Sequence, residues 1–142
     1  MAYTVTFTPA SGTAWTPTSS TNGWVLSELE AHPAQPKYNF VEIPGANGAL
    51  DLSRAVSGSI AYGQRTIRMV FGSNNTTTRA AAMTAASTIE TKLNGKLFSS
   101  VACPLGTFAN CEVAVTSVEF VGDTAIVEVT CLTSDTSPKT PN

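Results

Sequence analysis

The chain has 142 residues, of which 42% are hydrophobic and 13% charged, with a net charge of −2 at neutral pH. That length suits one domain spanning 1–142, with enough residues for a real core. The mild acidity argues against a basic nucleic-acid surface, and no apolar run of about 18 residues is present to cross a membrane.

The charged share is about half that of ordinary soluble domains. Thr and Ser together supply 35 residues. A weakly charged, Thr-rich surface suits extended strands and close packing against copies of itself. The opening MAYTVTFTPA lacks the basic and apolar regions of a signal peptide, so synthesis in a reducing cytoplasm is expected.

In chain order, Tyr3, Val5 and Phe7 alternate with threonines and predict a first strand starting almost at the first residue. The stretch 9–23, PASGTAWTPTSSTNG, has no periodicity and is long for a connection inside a domain. It reads either as a projecting contact loop or hairpin or as a disordered surface loop. Trp15, a large aromatic with no evident local core, is its expected anchor on a neighbouring subunit. Trp24–Glu30 predicts a second strand, broken by the prolines of HPAQP.

Tyr38–Ile43 alternates again. Pro44-Gly45 and Asn47-Gly48 follow as a double turn, proline presetting φ and glycine taking positive φ. Leu50-Asp51-Leu52 is too short for an independent strand. Gly58–Tyr62 and Arg65–Phe71 predict two strands joined by Gly63-Gln64. In the second, Ile67, Met69 and Phe71 share one face, with Thr66, Arg68 and Val70 on the other.

SNNTTT at 73–78 offers several helix N-caps. A single helix is predicted over about 77–94, with an apolar stripe of Ala82, Ala86, Ile89 and Leu93 and a stop at Asn94-Gly95. Lys96–Cys103 is the next strand. Glu112–Phe120 and Thr124–Leu132 form a final hairpin around Val121-Gly122-Asp123. The polar tail, 134–142, reads as frayed. The order predicts an α+β, mainly β domain: a two-sheet sandwich or partly closed β-barrel flanked by one helix.

No sequence signature of an active site is present: no nucleophile elbow, no zinc-protease motif, no P-loop and no dinucleotide glycine pattern. Neither a cofactor nor a metal is expected. The one histidine, His32, sits beside a proline, and Asn47, Gly48 and Asp51 lack the spacing of a calcium loop. Cys103, Cys111 and Cys131 fit no zinc spacing. They read as small buried hydrophobes, although Cys103 and Cys111 could also face each other across a loop. Arg68 is a candidate for an ion pair between subunits, to Asp51 or Glu42, or else an ordinary solvated strand residue.

One segment carries a family signal. Val41, Ile43, Pro44, Gly45, Asn47, Gly48, Leu50, Asp51, Leu52 and Ser53 are followed by Gly58, Ile60, Tyr62, Arg65 and Ile67. This run resembles the N-terminal domain of the siphophage distal tail protein family, whose fold is like that of tail tube proteins. It covers about a quarter of the chain. Many family members carry a second domain, for which this chain is too short. The resemblance implies a structural virion protein and no enzyme. Copies, six by the resemblance, would ring the distal end of a long non-contractile tail. The ring would join the tail tube protein to the baseplate hub protein around a channel for the tape measure protein and for DNA in transit. The resemblance gives Pro44, Gly45, Asn47, Gly48, Asp51 and Arg65 structural roles. A tail tube protein stacked in rings and a carbohydrate-binding tail-tip module, with Trp15 and Trp24 stacking on sugars, are the alternatives.

Overall fold

Alternation of buried and exposed side chains sets the architecture. The computed structural model describes residues 3–33, 40–42, 49–51, 64–74, 76–135 and 137–142; within 40–42 and 49–51 the backbone pairing is described. The strands are β1 (Thr6–Pro9), β2 (Trp24–Ala31), β3 (Phe40–Glu42), β4 (Ala49–Asp51), β5 (Arg65–Ser73), β6 (Lys96–Cys103), β7 (Gly106–Val121) and β8 (Thr124–Thr133). A helix, α1 (Arg79–Leu93), lies between β5 and β6.

Six strands form one antiparallel sheet in the order β1-β6-β7-β8-β5-β2, and β3 pairs with β4 separately. One face of the large sheet is the core. Phe7, Ile67, Met69, Phe71, Phe108, Val127 and Val129 are buried there with the three cysteines. The helix covers this face. Ala82, Ala86, Ile89 and Leu93 are its buried residues, as the stripe predicts. Alanines at the contact let the helix approach β7 and β8 closely. Thr78 caps the N-terminus by accepting from the Ala81 amide, and Gly95 leaves the helix at φ +70°.

The expected sandwich or partly closed barrel gives way to one open sheet with a small separate ribbon. The reason lies at β1. To close the sheet, its outer edge would have to pair with β2. That edge is already occupied by the segment around Trp15, which is bridged to Phe7. A cleft of about 110 Å³, lined by Tyr3, Leu26, Leu29 and Pro104, separates the start of the chain from β2.

Several local expectations need correction. Residues 49–51 do pair, with Val41 opposite Leu50, because β3 supplies the partner that a lone short strand lacks. The first strand begins at Thr6, and Tyr3 is exposed. The last hairpin turns through Gly122-Asp123 alone, since Val121 pairs with Thr124. Gly122 has φ +60° at the first central position, where a II′ turn requires glycine. The predicted strand 58–62 lies outside the described residues.

The tail is docked rather than frayed. The Asn142 amide donates to the Pro104 carbonyl at 3.2 Å, and Asn142 Nδ2 donates to the Cys103 carbonyl at 2.7 Å. Asp135 accepts from the Ala109 amide at 3.0 Å and pairs with Lys139. The Lys139 ammonium lies 5.2 Å from the Phe108 ring centre. A polar composition left room for disorder; these partners, distant in sequence, supply the order.

Candidate functional site

Of the seven residues singled out by sequence, Pro44, Gly45, Asn47 and Gly48 lie outside the described residues. Asp51 ends β4, opposite Phe40 in register. Arg65 and Trp15 have described side chains, and both have partners within their own chain.

Arg65 begins β5 opposite Thr133. Its Nη1 donates to the Ser137 carbonyl at 3.0 Å, and its Nε donates to the His32 carbonyl at 3.4 Å. The guanidinium lies 5.2 Å from the Phe108 ring centre. One side chain therefore ties β5, the end of β2 and the C-terminal tail. Guanidinium suits this task because its fork of donors can serve two carbonyls while its plane lies near a ring.

Trp15 finds a core in its own domain, contrary to the expectation. Its amide and carbonyl bond to Phe7 at 2.9 Å each, and its ring packs partly buried against the core. The Val5 amide donates to Thr18 Oγ1 at 3.1 Å, and the hydroxyls of Thr6 and Thr16 bond at 3.0 Å. Residues 15–18 thus run along the edge of β1. The loop ends with the Trp24 amide donating to the Pro17 carbonyl and the Asn74 amide donating to the Gly23 carbonyl. Trp24 is buried, so it offers no ring face to a sugar. Beside Trp15 a cleft of about 230 Å³ opens, lined also by Pro9, Thr13, Lys92, Lys96, Leu97 and Phe98.

The other face of the sheet carries no helix among the described residues. At its centre Arg68 meets carboxylates of its own chain: Glu28 at 2.9 Å, Glu128 at 3.1 Å and Glu30 at 4.0 Å. Hydrogen bonds to Glu128 and then to Glu28 raise the guanidinium pKa further. These partners belong to the same chain; the side chains of Asp51 and Glu42, the acids that the sequence suggests, lie outside the described residues. Antiparallel register explains the cluster, because Arg68 stands opposite Glu30 on one side and next to the Glu128 position on the other. Ser117, Glu119 and Ile126 complete a shallow depression here.

Among the described residues no group of three His, Cys, Asp or Glu side chains is placed to hold a metal. Cys103, Cys111 and Cys131 are free and buried. Burial pushes all three thiols up, Cys131 furthest. Cys103 Sγ donates to the Gly106 carbonyl at 3.3 Å. They are inert core residues in this environment.

Sequence reasoning missed the carboxylates around Arg68 and the tail latch. The latch had a local trace: Asp135 stands two residues before Ser137 and four before Lys139, the spacing of an Asx turn backed by an ion pair. The cluster around Arg68 had none, since Glu28 and Glu128 are brought to it by strand register. Comparison with known proteins gives no further guide, as no family model and no curated protein matches the chain.

Proposed function

We propose that this chain is a ring-forming structural protein of a long non-contractile phage tail, placed at the distal end between tube and baseplate hub. The observation that carries the reading is the motif run 41–53. Its two flanks pair antiparallel as β3 and β4, and an arginine-led strand follows at Arg65. That is the order implied by the resemblance to the siphophage distal tail proteins. A sheet with one face uncovered and one flank, β2, without a further strand among the described residues supports a role made of subunit contacts. In this reading the work is mechanical, and copies of the tail-tube-like fold that the resemblance implies surround an axial channel.

Light scattering on purified protein over a wide concentration range tests this, with negative-stain images of the same sample. A single ring or short stack is expected. Long tubes would move the protein to the tail tube. A strict monomer at high concentration, absent from purified virions, would overturn the reading.

A further inference from the structure

Two surfaces on opposite faces of the sheet carry opposite charge. On the face away from the helix, Glu28, Glu30 and Glu128 surround Arg68, three carboxylates against one guanidinium among the described residues. Glu28 and Glu30 lie on β2, the flank without a further strand among the described residues, and their side chains are 63% and 54% exposed. Val25, three residues before Glu28 on the same strand, is half exposed.

On the helix side, Lys92 ends α1 and Lys96 begins β6. Both line the cleft beside Trp15. Among the described residues neither lysine makes an ion pair. Leu97, at the rim of the same cleft, is 63% exposed. Exposed lysines normally keep to water, and an exposed leucine alone is ordinary. Here two unpaired lysines, an exposed leucine and part of a tryptophan share one concavity.

We propose that the acidic β2 flank of one copy docks in the lysine-bordered cleft of the next. The inference rests on the ring reading and names its contact. Charge complementarity selects the occupant: Glu28 and Glu30 supply what Lys92 and Lys96 lack, and Val25 and Leu97 supply an apolar centre. The two surfaces share no residue and lie on opposite faces of the sheet, so the proposal is a head-to-tail, heterologous contact, whose repetition closes into a ring or grows as a helix. Partial burial of Trp15 in its own core holds the cleft wall in place before docking, which lowers the ordering cost of the contact.

Charge reversal on each side tests this. Lys92→Glu/Lys96→Glu alone and Glu28→Lys/Glu30→Lys alone should each weaken self-association by at least about tenfold in sedimentation, because each juxtaposes like charges. An equimolar mixture of the two should associate again, since each flank then meets an opposite cleft. Wild-type association should weaken in high salt. Circular dichroism checks that the variants fold; Lys92→Glu and Glu30→Lys singly carry the same test where a double variant does not. If the wild type associates and the reversals change nothing, this contact is overturned while the ring reading stands. Loss without rescue on mixing would mean that the cleft takes a different acidic partner, and it too overturns the contact. A monomeric wild type overturns both.

Discussion

Phe7 and Trp15 exchange two backbone hydrogen bonds, each 2.9 Å long, although eight positions separate them. This pair converts an aperiodic stretch into a fitted cover for β1. Neighbouring bonds from Thr18 and Thr16 extend it. Pro9 and Gly12, the latter at φ +109°, lie where the chain turns back, and Thr16 and Thr18 supply the hydroxyl partners.

Trp15→Ala should therefore lower the stability of the isolated subunit by about 1–3 kcal/mol, less than a fully buried tryptophan would cost. Trp15→Phe should recover a good part of that loss. Urea melts of the monomeric fraction measure both. An unchanged midpoint would mean that the ring contributes nothing to the core and that the backbone bonds alone hold the loop.

The Asp135–Lys139 latch should be sensitive to acid. Burial raises the Asp135 pKa, but hydrogen bonds from Lys139, from the Ser137 hydroxyl and from two backbone amides outweigh it and hold the carboxyl well below its usual range. A depressed carboxylate stabilises the fold above its unfolded pKa, near about 4, and the contribution is lost as pH falls through the folded value. Asp135→Asn should cost about 1–3 kcal/mol at neutral pH. The gap from wild type should narrow steadily below about pH 4. A gap independent of pH would exclude the carboxylate as its source.

Gly106 and the tail should be coupled. Gly106 sits at φ +140°, and a β-carbon there would lie 2.7 Å from Lys139 Cβ. Gly106→Ala should destabilise by about 1–3 kcal/mol through strain and displacement of the tail. In a chain ending at Ser134 the displacement part vanishes, so the two changes should be less than additive in a double-mutant cycle. Strict additivity would show that backbone strain alone is responsible.

The three thiols should be slow to react. All are buried, and burial raises each pKa. Labelling by an aromatic disulfide at pH 8 should follow the rate of unfolding and accelerate in sub-denaturing urea. Rapid labelling of one thiol in the native protein would mark local opening around it.

The elements most legible in the sequence are those whose signal is local. The helical stripe ending at Leu93, the cap at Thr78 and the strand Lys96–Cys103 follow from spacing and propensity alone. The hairpin of β7 and β8 is equally plain, although β7 starts at Gly106, earlier than its alternation suggests, because β6 supplies a partner for residues 106–113. What could not be read depends on residues far apart in sequence. The sequence around Trp15 predicts a contact with a neighbour because its own loop is small and polar, whereas the core it joins is assembled from Phe7 before it and Phe98 far after it. For Arg68 the sequence leaves an inter-subunit pair and a solvated strand face both open, while register delivers Glu28 and Glu128 from either side.

The cover over β1 has a bearing on solubility at high copy number. Cross-strand growth into fibres needs two accessible margins per molecule, one to add to and one to be added to. Here one margin is sealed by residues 15–18 and by Pro9, which has no amide hydrogen to offer. In the six-stranded sheet β2 is then the one margin open among the described residues, and ladder pairing through it joins two molecules and stops. At high concentration the chain is thereby protected from runaway polymerisation along that margin, and the sequence positions that confer this protection are the Ser/Thr-rich ones that look least structured.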